Sequence, residues 1–308
     1  MANDKRIDEP TGTHTVGHEW DGIEELDTPM PRWWLLTFYA CIVFAIGYTV
    51  VYPAWPGLHG ATKGLWGWNS RVVLKDEIAG VNKSRAATLT AIAATPVEQL
   101  PANKALFDVA VRGGEAAFKV HCVQCHGSGA DGIRMGSGYP NLNDDDWLWG
   151  GDLESLDYTI THGVRNPDVA ATRTSLMPAF GKDGILTAVQ VQDVATFVRT
   201  ISRQEKSSRS AQRGAALFAA NCAVCHGPDG KGSRSFGAPN LTDGIWLYGG
   251  DREAITQTVA NSRHGVMPAW SKRLDATTIK MLAAYVHSRG GGEVNPAAEP
   301  IAASNAAE

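Results

Sequence analysis

Cysteine is scarce in this 308-residue chain, five residues in all, too few for a disulfide scaffold. Charge is sparse as well: charged residues make up 19% and the formal net charge is −4, which excludes a nucleic-acid-binding surface. Glycine and proline, 33 and 15 residues, fall short of a disordered or collagen-like composition. A basic leader is missing, since residues 1–32 hold three basic groups against eight acidic ones. Long hydrophobic runs are confined to one place. What remains is an ordinary globular composition, 44% hydrophobic, in a chain long enough for about two domains.

The one long apolar run, Trp33 to Tyr52, is uncharged over twenty positions and predicts a single transmembrane helix. Trp33 and Trp34 at one end, and Tyr48, Tyr52 and Trp55 at the other, match an interfacial aromatic belt, and Pro31 and Pro53 bracket the span. A cleaved signal peptide is the competing reading. It requires a basic leader and a small-residue cleavage site, where this chain has an acidic leader and YPAWP. Cys41 lies within the span as a small packing residue and is assigned no function.

Beyond the span one pattern is written twice. Residues 111–199 read RGGEAAFKVHCVQCHG, YPNL, DWLWGGD, MPAF and VQDVATFVRTI; residues 211–287 read QRGAALFAANCAVCHG, APNL, IWLYGGD, MPAW and IKMLAAYVHSR. The offset is 100 at Cys122 and Cys222, 99 at Pro140 and Pro239, and 90 at Met177 and Met267. Each copy opens with a helix whose Gly114 and Phe118, or Gly214 and Phe218, share a face. Each closes with an amphipathic helix, carried by Val191, Val194, Phe197, Val198 and Ile201 or by Ile279, Leu282, Tyr285 and Val286, expected to pack on the opening helix. The run from Ser202 to Arg213 reads as a polar separator of two tandem domains, and the last residues as a solvated tail.

The chemistry sits in two Cys-x-x-Cys-His runs. Cysteines three apart on a helical turn can both form thioethers to one haem, and the following histidine meets the iron. Cys122 and Cys125 with His126, and Cys222 and Cys225 with His226, are thus expected to hold two covalent haem c groups. Zinc needs four ligands that are missing at the right spacing, and a redox dithiol needs a βαβ setting. Met177 and Met267, in identical Met-Pro-Ala-aromatic settings, are the expected sixth iron ligands; His162 and His264, each followed by Gly-Val, are the competing ones. Met135 and Met281, without counterparts, read as filler. A carbonyl near Pro140 or Pro239 is placed to orient the proximal histidine. Trp147, Trp149, Trp246 and Tyr248 wall a pocket, bond a propionate or pack a core, and Asp144, Asp145 and Asp146 form either a docking patch or a solvated loop.

In the order of these motifs both copies resemble class I cytochrome c, and HEWDGIEELDTPMPRWW before the span resembles the anchor of the dihaem subunit III of cbb3-type cytochrome c oxidases. The resemblance implies an all-α fold: a cytoplasmic segment 1–32, a transmembrane helix 33–52, a periplasmic connector 53–105, cytochrome c domains 106–203 and 204–291, and a disordered tail 292–308. It implies a relay in the bacterial inner membrane. Electrons enter from a bc1 complex or a soluble cytochrome c and pass by a monohaem cytochrome c subunit to a haem–copper catalytic subunit that reduces oxygen. No oxygen-reducing site is expected in this chain, which has no cluster of intramembrane histidines. The alternative is a dihaem electron-transfer subunit of another respiratory reductase or dehydrogenase.

Overall fold

In the computed structural model, which describes residues 6–132 and 137–294, the apolar run forms helix α1, Arg32–Val51. Pro31 precedes it, and no charged side chain interrupts it beyond Arg32. None of its residues is buried, so it is apolar on every side, as a lipid-facing helix must be. Its threonine hydroxyls bond inside the helix, Thr37 to the Trp33 carbonyl at 2.9 Å and Thr49 to that of Ile46 at 2.8 Å, so these two polar groups need no partner outside it. Before α1 the acidic leader folds into a hairpin that the sequence reading did not foresee: β1, Thr15–Trp20, pairs antiparallel with β2, Ile23–Leu26. A second short pair, β3 (Pro56–Gly57) and β4 (Gly60–Ala61), follows α1.

The chain divides into two compact units, Met1–Ser84 and Arg85–Glu308. Helix α2, Ser70–Ala94, begins in one and ends in the other, so the expected connector is helical over much of its length. The second unit is helical: α3 (Lys104–His121), α4 (Val123–His126), α5 (Leu153–His162), α6 (Ala188–Ile201), α7 (Arg209–Asn221), α8 (Ala223–His226), α9 (Arg252–Asn261) and α10 (Ala276–His287). Side-chain caps fix the starts of all of these helices but α4 and α8. Asp152 and Asp251 each accept from the backbone N–H three residues on, both at 2.9 Å, and Thr187 with Gln190 forms a capping box.

Packing departs from the expected tandem pair. The opening helix of each copy does pack on a closing helix, but on that of the other copy: α3 against α10, and α6 against α7. One half of the unit joins Phe118, Leu153, Leu156 and Ile160 to Ile279, Leu282, Tyr285 and Val286. The other joins Val191, Val194 and Val198 to Phe218, Ile255 and Val259. The boundary expected between residues 203 and 204 therefore falls inside a packed half. Only residues 202–208 separate α6 from α7, and helices joined by so short a loop become antiparallel neighbours. The supposed separator is a hairpin turn. Beyond it Arg213 bonds the buried Asp193 carboxylate with two nitrogens, at 2.7 and 2.6 Å, tying α7 to α6 and holding Asp193 below the usual carboxylate range.

The two halves are built alike. A Cβ at Gly114 would lie 1.9 Å from the Met281 carbonyl oxygen, and one at Gly214 2.0 Å from that of Asp193, so glycine lets each helix pair touch backbone to backbone. Phe118 meets Tyr285 and Phe197 meets Phe218 with the same 5.2 Å separation and 54° tilt. Met281 lies in the first core as expected of filler; Met135 lies outside the described residues.

Two further expectations change. Glu293, read as part of the tail, donates its N–H to the Gly151 carbonyl at 3.0 Å and accepts from the Gly151 N–H at 2.8 Å. The tail beyond Val294 lies outside the described residues. Asp146 is half-buried rather than fully solvated, and burial, with Asp243, Asp144 and Asp145 beside it, pushes its carboxyl up to about 6. A carboxyl raised above its unfolded value, roughly 4, destabilises the fold increasingly as pH rises through that window. Asp146→Asn is therefore expected to stabilise the chain by about 1 kcal/mol near neutral pH and to be neutral near pH ~4. Thermal melts at the two pH values check this, and an equal effect at both contradicts it.

Candidate functional site

Each Cys-x-x-Cys-His run is one tight turn at the end of an opening helix. The Cys125 and His126 N–H groups donate to the Cys122 carbonyl at 3.1 and 2.9 Å, and Cys225 and His226 do the same to Cys222 at the same two distances. This turn places both thiols of a pair on one side. Gly127 and Gly227, at φ +78° and +77°, then reverse the chain. The His126 carbonyl accepts from the Gly132 N–H at 2.9 Å and the His226 carbonyl from that of Gly232 at 2.7 Å, closing each loop below its histidine.

The histidine rings are oriented as expected. His126 Nδ1 donates to the Pro140 carbonyl at 3.2 Å and His226 Nδ1 to the Pro239 carbonyl at 3.1 Å, which leaves Nε2 of each ring for iron. Burial lowers both imidazoles, favouring the neutral form that ligates metals. Burial also pushes Cys122 and Cys222 up to about 11, so these positions favour uncharged sulfur, the state of a thioether. All four cysteines are free of disulfides, and no cluster of three or more His, Cys, Asp or Glu side chains among the described residues is placed to hold a bare metal ion. Two thiols, a pre-oriented imidazole and an apolar wall are the donor set of haem c, and the residues fit it.

The methionines are where the exchanged packing matters. Met267 packs against the core that contains Phe118 and is flanked by Cys122, and Met177 against the core that contains Phe218 and Cys222. Backbone bonds fix this. Val164, just after α5, exchanges N–H···O bonds of 3.0 Å with Met267 in both directions, and the Trp270 N–H donates to the Ile160 carbonyl at 3.1 Å. Just after α9, the Ser262 hydroxyl donates to the Met177 carbonyl and the Gly181 N–H donates to the Ala260 carbonyl at 3.1 Å. Each methionine thus lies with the attachment turn of the other copy. His264 is exposed and His162 lies against Tyr158; neither belongs to the cores around the attachment turns.

Trp147 donates its indole N–H to the Gly291 carbonyl, so that group is spent within the fold. Trp246 packs in the second core. Trp149 covers Gly237, where a Cβ would meet its ring at 2.2 Å, and Tyr248 covers Gly138 in the same way at 2.6 Å, so an aromatic from each copy caps the attachment loop of the other. Sequence reasoning missed the arginines that close this junction. Arg165 Nε donates to the Gly265 carbonyl at 2.6 Å, pinning one crossing segment to the other. Arg173 and Arg263, each four residues before its methionine, lie over Trp149 and Tyr248, respectively. That shared spacing is the signal by which the sequence shows them.

Fold and sites together define a c-type cytochrome carrying an apolar anchor helix. A family model described as the N-terminal domain of cytochrome oxidase-cbb3, FixP, matches residues 12–59, and one described as cytochrome c oxidase, cbb3-type, subunit III, matches residues 109–198 and 209–286. The Cbb3-type cytochrome c oxidase subunit CcoP of Cereibacter sphaeroides is 52% identical over 279 residues, covering 91% of this chain and 95% of its own. The Cbb3-type cytochrome c oxidase subunits FixP of Azorhizobium caulinodans and Rhizobium meliloti are 49% and 50% identical over 93% and 94% of this chain and 96% and 98% of their own. The chain belongs to the subunit III family of cbb3-type cytochrome c oxidases. The two matched copies follow the sequence repeat, whereas the packed halves exchange their closing segments.

Proposed function

We propose that this chain binds two covalent haem c groups, one on Cys122 and Cys125 with His126 and Met267 as axial ligands, the other on Cys222 and Cys225 with His226 and Met177. The packing of each methionine against the same core as an attachment cysteine of the other copy supports this crosswise pairing. Bound haem supplies a one-electron iron couple, and histidine–methionine ligation sets it to the higher potentials of carrier cytochromes. The residues do the rest. Pro140 and Pro239 hold the imidazoles, glycine-mediated helix contacts keep the walls close, and the apolar cores exclude water from the sulfur side.

In this reading the chain relays electrons from a bc1 complex or a soluble cytochrome c to the monohaem and haem–copper subunits of a cbb3-type oxidase. It sits in the bacterial inner membrane through α1, with residues 1–32 cytoplasmic and the haem-binding unit periplasmic, where haem attachment takes place. The observation that carries the assignment is the match of both the anchor segment and the paired attachment sites to cbb3-type subunits. Tagged chain extracted in mild detergent is expected to bring b-haem-containing, oxygen-consuming subunits with it. Recovery alone, or with another reductase or dehydrogenase, overturns the partner assignment and leaves the cytochrome chemistry standing.

A further inference from the structure

The leader hairpin is ordered without a core of its own. Asp21 and Gly22 form its turn with φ of +50° and +85°, the left-handed backbone that joins two twisted strands. One side is tied to the segment before it. The Arg6 N–H donates to the Thr15 hydroxyl at 3.2 Å, the Thr15 N–H donates to the Arg6 carbonyl at 2.8 Å, and Arg6 pairs with Glu24. Among residues 6–31 only Thr15 is buried. The other side is bare. Trp20 and Ile23 stand directly opposite each other in the register, 64% and 71% exposed, and the His18 ring lies 4.3 Å from that of Trp20. Strand alternation puts Glu25 on the side of Ile23, with Asp21 at the turn beside them. Neither acid forms an ion pair among the described residues.

A two-stranded hairpin alone is marginal in water, and one whose largest apolar side chains point outward lacks the layer that would hold it. Location and charge select that layer. β2 ends at Leu26 and α1 begins at Arg32, a linker that reaches roughly 20 Å at most, so the face lies close to the membrane surface. A cytoplasmic leaflet is anionic and repels a leader with three basic groups against eight acidic ones, which makes lipid headgroups a poor cover. Cytoplasmic loops of membrane-embedded proteins carry an excess of Lys and Arg, the complement of this charge. We propose that the face formed by Trp20 and Ile23 docks on a Lys- and Arg-rich cytoplasmic loop of a membrane-embedded oxidase subunit. The two apolar side chains fill the centre of the contact, and Asp21 and Glu25 meet the loop's cations at its rim. This rests on the reading above that residues 1–32 are cytoplasmic and that the chain serves a cbb3-type oxidase. The hairpin thereby fixes the chain to its complex from the side of the membrane opposite the haems.

A benzophenone amino acid in place of Ile23, photoactivated in membranes that hold the assembled oxidase, tests this. The expected product joins this chain to a membrane-embedded oxidase subunit at a cytoplasmic peptide containing Lys or Arg. Trp20→Ser is expected to lower its yield about tenfold, as loss of a central aromatic anchor does, and Trp20→Phe to keep most of it. Asp21→Asn combined with Glu25→Gln, which preserves the turn, is expected to lower the yield several-fold at low salt and little at high salt. Crosslinking only to lipid, to a second copy of this chain or to a soluble protein overturns the proposal, as does a yield that these variants leave unchanged. Two controls separate that failure from failure of the reading beneath it. Absence of oxidase subunits from the tagged wild-type chain overturns the oxidase reading, and labelling of Pro10→Cys by an impermeant thiol reagent added from the periplasmic side overturns the cytoplasmic placement; either takes the proposal with it.

Discussion

Met177→Ala is expected to open the sixth coordination position of the haem on Cys222 and Cys225, and to leave the haem on Cys122 and Cys125, in the methionine's own repeat, six-coordinate. Met267→Ala reverses the pattern. The expectation follows from main-chain bonds that tie the Met267 segment to the end of α5 and the Met177 segment to the end of α9. In either variant half of the haem complement is expected to bind carbon monoxide when reduced, with a lowered potential for that half. The comparison is made in chains that retain one attachment turn. With Cys222 and Cys225 replaced by serine, Met267→Ala should change the spectrum of the remaining haem and Met177→Ala should not. The opposite result means that each repeat closes on its own haem.

Gly114→Ala and Gly214→Ala are expected to be strongly destabilising for substitutions that add a single methyl group. A methyl group at either position would fall about 2 Å from a carbonyl oxygen of the facing helix, which is backbone and cannot swing aside. Separating α3 from α10, or α7 from α6, also pulls apart Phe118 and Tyr285, or Phe218 and Phe197. The expected cost is about 3 kcal/mol or more, at the upper end of overpacking penalties. Gly113→Ala is the control. Its added methyl meets only the Met281 side chain, at 2.5 Å from sulfur, and a thioether can change rotamer. Chemical unfolding of the three variants checks the order, and equal stability of Gly114→Ala and Gly113→Ala contradicts it.

Much of the site is legible in the sequence because its chemistry is local. The attachment turns, the proximal histidines and the proline carbonyls that orient them lie within a few residues to about fourteen residues of one another, so spacing alone places them. The amphipathic faces of α6 and α10 are legible for the same reason. Which opening helix each face meets is not legible. Gly114 with Phe118 and Gly214 with Phe218 present the same surface, so either closing helix suits either partner, and the seven-residue turn at 202–208 decides. Arg173 and Arg263 escaped notice because an arginine reads as surface until its acceptors are known, and those acceptors are a hydroxyl and carbonyls on helices earlier in the chain. The leader hairpin was hidden too: β1 and β2 carry little apolar alternation, and Arg6 pairs with Glu24 across it.

In the crosswise pairing proposed here, the exchange of closing segments makes each haem site the joint product of both repeats, with no copy supplying both the histidine and the methionine of one iron. An experimental density map of the haem-loaded chain, clear enough to trace the axial side chains, tests this most directly. Met267 sulfur opposite His126 and Met177 sulfur opposite His226 is the expected result; Met177 sulfur opposite His126 would contradict it.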